Sequence, residues 1–191
     1  RWTSRRPVGD CAPSPSSGAG AELVVRRKSP HEGARGVEPV SVKQIIRWDD
    51  VADLCHELAE RLADRQFDAI LGIARGGLVP AALLAQELGL RRVLAAAVSS
   101  YEGDQRTEHL HFLEFPPDQA VVGRRILVVD DIWDSGRTAE LVRRRILDAG
   151  GHPTIAVLHY KPVRSVYPDR RPDVWLRETD DWIVYPWERG A

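Results

Sequence analysis

One stretch of thirteen residues, 126–138, constrains this chain more than any other. Ile126, Leu127, Val128 and Val129 form a short apolar, β-branched run that is followed at once by Asp130 and Asp131. A run of that length bounded by polar residues reads as a buried strand over residues 125–130. Ile132 and Trp133 then lead to Asp134, Ser135, Gly136, Arg137 and Thr138, a small polar turn that opens a helix over residues 138–149, which stops at Gly150 and Gly151. A buried strand running straight into a helix needs a crossover connection, and crossovers belong to parallel sheets.

The flanking sequence repeats the alternation. After Asp49 or Asp50 as a cap, Val51, Leu54, Leu58 and Leu62 recur at helical spacing, which predicts a helix over residues 50–65. Residues 67–73 read as a strand ending at Ala74, Arg75, Gly76 and Gly77, after which Pro80 opens a helix that runs through Leu88 to Gly89. Strands are expected at 92–98 and 154–160. Between them, residues 99–122 read as a long polar, irregular and mobile loop, with only weak alternation near His109. The pattern predicts an α/β fold, a parallel sheet with helices on both faces. Ligands of such sheets bind beyond the carboxyl ends of the strands, so the loops after Ile73, Val98, Val129 and Tyr160 should converge.

The turn at 130–138 holds three acids, two hydroxyls and a glycine in nine residues. Helix capping alone does not call for that density. Free N–H groups at a helix start, the hydroxyls of Ser135 and Thr138 and the positive end of the helix suit a phosphate dianion, and Gly136 lets the backbone approach it. Acids would repel the phosphate unless they face something else. Vicinal ribose hydroxyls, which donate hydrogen bonds, suit Asp130 and Asp131, so the turn reads as a site for a phosphorylated sugar.

Residues 126–138 resemble the signature by which type I phosphoribosyltransferases bind 5-phosphoribosyl 1-diphosphate (PRPP). The resemblance extends over residues 45–190 and implies that family's fold with a mobile hood loop. It further implies that Asp130 and Asp131 bind the ribose and a magnesium ion. By the same likeness Asp134 is the catalytic proton acceptor beside N7 of the base, and Asp134, Ser135, Gly136, Arg137 and Thr138 surround the 5′-phosphate. Arg75, Gly76 and Gly77 look like the pyrophosphate loop, and Ser99, Ser100 and Tyr101 like the start of the hood in bacterial xanthine-guanine phosphoribosyltransferases. Lys161 corresponds to the donor to the 6-oxygen of a purine, Trp182 to the stacking aromatic, and Ile183 to the residue whose backbone reads the 2-position. The implied activity joins a 6-oxopurine base (guanine, xanthine or hypoxanthine) to PRPP in purine salvage. The implied assembly is a homo-oligomer in the cytoplasm. A PRPP- or nucleotide-sensing regulator of the same fold, or an enzyme for another acceptor, stays open.

Composition limits the rest. With 191 residues and 43% hydrophobic side chains, one domain over 41–191 is expected. Residues 1–40, fifteen of them Gly, Pro or Ser and rich in Arg, read as a disordered leader; with Arg1 first and no Met, the start is not read as a natural terminus. The leader's net charge of +3 leaves −4 for the remainder, which argues against nucleic acid as a partner. Cys11 and Cys55 offer no disulfide framework or metal cage, and no apolar run nears the ~20 residues of a membrane span. His109 and His111 have no third ligand nearby, Arg143 to Arg145 read as a solvated helix face, and Trp175 and Trp187 read as packing.

Overall fold

The computed structural model describes residues 43–102 and 108–188, so the expected leader lies outside the described residues. In chain order the elements are β1 (Lys43–Ile45), α1 (Trp48–Leu62), β2 (Ala69–Ala74), α2 (Leu78–Glu87), β3 (Val93–Glu102) and β4 (Glu108–Glu114). Next come β5 (Arg125–Trp133), α3 (Arg137–Asp148), β6 (His152–Tyr160), β7 (Val174–Glu178) and β8 (Trp182–Val184). Six strands make one sheet in the order β4-β3-β2-β5-β6-β7, parallel except for the β3–β4 pair, and β1 pairs in parallel with β8.

The central strands are buried on both faces, which is why they read as continuous apolar runs. Ile70, Leu127, Val129, Ala156 and Leu158 face α1 and α2, against Val51, Leu54, Leu58, Leu62 and Leu84. Their neighbours Leu71, Ile73, Ile126, Val128, Ile155 and Val157 face α3, against Ala139, Val142 and Ile146. Each buried Leu or Ile contributes on the order of 2 kcal/mol of burial. The α/β class with helices on both faces is therefore as expected.

Several element bounds differ from the sequence expectation. Helix α1 starts at Trp48, not after Asp50; Asp50 Oδ2 instead accepts the backbone N–H of Arg47, the residue before the helix, at 2.8 Å. Helix α2 starts at Leu78, which places Pro80 inside its first turn, where the missing N–H costs nothing. The expected irregular loop at 99–122 is in good part a strand pair. β3 runs on to Glu102, and β4 returns antiparallel to it with Ser99 opposite His111, the register shifting at Ala97 and Val98. Its polar composition hid it, since Phe112 is the one described side chain of β4 packed against the core. β5 continues past Asp130 to Trp133. The basic run on α3 is not merely solvated: Arg143 pairs with the buried Glu140 and with Asp173, and Arg145 pairs with Asp118.

Candidate active site

At the carboxyl ends of β2 and β5 two glycines let the backbone cross the acid pair. A Cβ on Gly76 would run into the carboxylate of Asp131, and one on Gly77 into the carbonyl oxygen of Val129. Gly77 N–H donates to Ile73 O at 2.8 Å and Leu78 N–H to Arg75 O at 3.3 Å, so these two amides serve the turn itself. Arg75 is exposed at the tip, after a cis peptide bond from Ala74.

Asp130 and Asp131 lie within β5 and not beyond its end. Asp131 is 6% exposed and donates its N–H to Asp130 Oδ1 at 3.0 Å. Burial, then the adjacent Asp131 charge, pushes Asp130 well above the ordinary carboxylate range. Burial likewise lifts Asp131 to about 6, against the opposing hydrogen bond from Trp187. Two neighbouring carboxyls that resist ionisation in this way form a place where a cation or a hydroxyl donor is welcome.

The turn after β5 is shaped by Trp133, which is buried beneath it. Gly136 has φ +80°, and a Cβ there would meet the Trp133 ring. No side chain caps α3, and Ser135 Oγ accepts only a long 3.4 Å bond from Arg137 N–H. A helix start without a side-chain cap is chemistry that suits a dianion. Asp134 carries an ion pair: Arg164 Nε donates to its Oδ1.

Lys161 follows β6 directly, its N–H held by Trp133 O at 2.9 Å. It is 4% exposed, and its Nζ lies 5.8 Å from the centroid of the Trp182 ring, which is 57% exposed. Ile183 is buried in the core, so only its backbone is available to a ligand. A cleft of about 770 Å³ joins Arg75, Gly76, Asp131 and Trp182 with Lys43 and Trp187. Asp134, the residues 135–138, Lys161 and Ile183 do not line that cleft. Ser99 lies in β3, while the side chains of Ser100 and Tyr101 fall outside the described ones.

Sequence reasoning missed three participants. Trp187, read as packing, donates Nε1–H to Asp131 Oδ2 at 3.1 Å and stacks on Tyr185 with centroids 4.6 Å apart. Tyr185 donates its hydroxyl to Asp131 O at 2.8 Å and meets His159 Nδ1 at 2.6 Å. That hydroxyl has one proton, so Nδ1 of His159 is the donor in the second bond. Arg164 is the third. None has a local signal, because each bond spans between 26 and 56 positions.

Residues 41–190 match the phosphoribosyl transferase domain family. A xanthine-guanine phosphoribosyltransferase of Gluconobacter oxydans is 35% identical over 147 residues, 75% of this chain and 83% of the relative. Among solved structures, a purine phosphoribosyltransferase from Pyrococcus horikoshii superposes with a TM-score of 0.70 at 34% identity, covering 78% of this chain and 96% of that one. A hypothetical protein from Neisseria gonorrhoeae with bound ppGpp gives 0.66 at 28% identity, covering 80% and 93%.

Proposed function

This chain belongs to the phosphoribosyl transferase domain family, and on that premise we propose that it transfers the phosphoribosyl group of PRPP to a 6-oxopurine, releasing pyrophosphate. The observation that carries the base assignment is the meeting of Lys161 Nζ with the Trp182 ring beside the phosphate turn. An ammonium group donates and cannot accept, so it suits a 6-oxo group and not the 6-amino group of adenine. An exposed indole gives the purine a face to stack on.

Displacement at the anomeric carbon builds positive charge on the ribose and negative charge on the leaving pyrophosphate. Arg75 and the amide of Gly76 stand where the leaving charge develops. Asp130 and Asp131 orient the ribose hydroxyls, the amides at the start of α3 with Ser135 and Thr138 hold the 5′-phosphate, and Asp134 takes the N7 proton. Two hard carboxylates, with no third metal-binding side chain grouped with them among the described residues, fit a magnesium ion that draws its remaining ligands from substrate and water. Such an ion, when bound, neutralises charge on pyrophosphate oxygens. The arm of β3 and β4, entered at Ser99, Ser100 and Tyr101, is the segment that would exclude water.

No helix among the described residues is long and apolar enough to cross a membrane. We place the activity in the cytoplasm and expect a homo-oligomer, with no nucleic-acid partner. The test is a product assay with PRPP, magnesium and a panel of bases. Nucleoside 5′-monophosphate should form with guanine, xanthine or hypoxanthine. Preference for adenine would remove the 6-oxopurine assignment and leave the PRPP site standing.

A further inference from the structure

The segment between β6 and β7 does more than connect them. Its first residues lie against the phosphate turn and are tied to it at several points. Lys161 N–H donates to Trp133 O at 2.9 Å, Val166 N–H to Ser135 O at 3.1 Å, and Trp133 Nε1–H to Ser165 Oγ at 3.2 Å. Within the segment, Ser165 N–H closes back on Lys161 O at 3.2 Å. Further along, Arg170 pairs with Glu140, whose carboxylate is buried on α3 and is also held by Arg143. The segment is therefore fixed to both the turn and the helix that the turn opens.

Arg164 projects from the part of this strap that is held on both sides. Its Nε donates to Oδ1 of Asp134, and this is the one ion pair Asp134 makes among the described residues. A carboxylate on a turn can swing about its terminal torsion, which is broad for Asp. A charge-assisted bond to one oxygen from a backbone-anchored guanidinium narrows that swing and leaves Oδ2 to face a ligand. Other groups aimed at a reacting base act in the same way, by orienting it rather than by touching the substrate.

We propose that Arg164 is a positioning residue for Asp134: it holds the carboxylate in the attitude from which Asp134 accepts the purine N7 proton. This rests on the phosphoribosyl transfer argued above. The role assigned to Arg164 requires no contact with either substrate. Its effect should therefore appear in turnover and pass through Asp134, not in the binding of PRPP.

The experiment is a double-mutant cycle on the full chain, with magnesium, saturating PRPP and guanine, comparing wild type, Arg164→Gln, Arg164→Lys, Asp134→Asn and the double variant Arg164→Gln/Asp134→Asn. Arg164→Gln should lower kcat roughly 10-fold while KM for PRPP stays within about 2-fold, and Arg164→Lys should recover part of the loss. In the Asp134→Asn background the same Gln substitution should cost less than about 2-fold, because the group it positions no longer acts as a base. The pair is exposed, so the variants should melt with the wild type, and a merely structural defect would raise KM for PRPP and persist in the Asn background. An active wild type with Arg164→Gln at full turnover, or with a loss that multiplies undiminished into the Asp134→Asn variant, overturns the inference alone. A wild type that forms no nucleotide overturns the functional reading, and the inference with it.

Discussion

The turn from β5 into α3 and the aromatic wall around β8 are built by opposite routes. The turn is local. A strand, two acids, a hydroxylated bend with Gly136 at φ +80° and an uncapped helix start succeed one another in thirteen residues, and each step is dictated by its neighbours. The wall is assembled from far apart in the chain. β8 is three residues long and pairs with β1 at the opposite end of the described chain, Trp182 beside Lys43. Tyr185 and Trp187 then reach back to Asp131 across more than fifty positions. The half of the site that would hold phosphate and ribose is thus written in consecutive residues. The half that would hold the base is written in tertiary contacts, so substitutions in the two halves should fail differently.

The largest effect should come from the turn. Asp134→Asn keeps the size of the side chain and its bond to Arg164 but removes the proton acceptor. Turnover should fall by roughly 10²-fold or more while PRPP affinity changes little. Single-turnover rates with pre-bound PRPP would check this, and an Asn variant with near-normal turnover would show that the proton goes elsewhere.

On the wall, effects should be smaller and should sort by base. Losing the charge-assisted donor in Lys161→Ala should lower kcat/KM for guanine and hypoxanthine by roughly 10- to 150-fold. Adenine, which gains nothing from that donor, should be spared. Trp182→Ala removes a stacking face that every purine shares, so all four bases should weaken by a similar factor, roughly 2- to 10-fold. Measuring kcat/KM for guanine, xanthine, hypoxanthine and adenine on both variants separates the two roles. An unaltered base ratio in Lys161→Ala would end the division of labour between them.

That difference in construction also explains which parts of the molecule are legible in the sequence. The uncapped turn into α3 and the Gly76–Gly77 bend are legible because each follows an apolar run that reads as a buried strand, whereas the strand's continuation through the acid pair to Trp133 is not. Nor is the β3–β4 arm, since Phe112 is the one described side chain of β4 packed against the core, too few to set a clear alternation. Trp187 reads as packing because an indole at the end of a chain looks the same whether or not its N–H meets a carboxylate. Lys161 and Trp182 are identified by resemblance, and no rule of spacing joins positions twenty-one residues apart. Arg164 shows the limit most clearly: an arginine in a loop is ordinarily solvated, and only the hydrogen bonds of its neighbours to Trp133 and Ser135 fix where it points.

The smallest effect on activity, and the one that probes the joint between the halves, concerns His159. Its ring is buried, and Nδ1–H bonds the Tyr185 hydroxyl that in turn holds Asp131 O. Burial, with help from the charges of Arg177 and Lys161, depresses its pKa from 6.5 to about 4. Between those values the unfolded chain binds a proton that the folded chain refuses, so His159 contributes stability above pH 6.5 that is lost as the pH falls toward 4, about 3 kcal/mol at most. Asp131 works in the other direction. Raised from 3.8 to about 6, it is protonated more readily folded than unfolded, so it favours folding as the pH falls through that value. In the metal-free protein the carboxyl and imidazole trends oppose one another over much of the same window. His159→Gln keeps a donor for Tyr185 and cannot titrate, so it removes only one side of the balance. Its turnover at neutral pH should stay close to that of the wild type. Its stability relative to wild type should improve steadily on acidification from pH 6.5 to 4.5, by roughly 1 kcal/mol per pH unit. Urea melts of both proteins across that range would measure the difference, and a difference independent of pH would show that His159 is not held neutral by its burial.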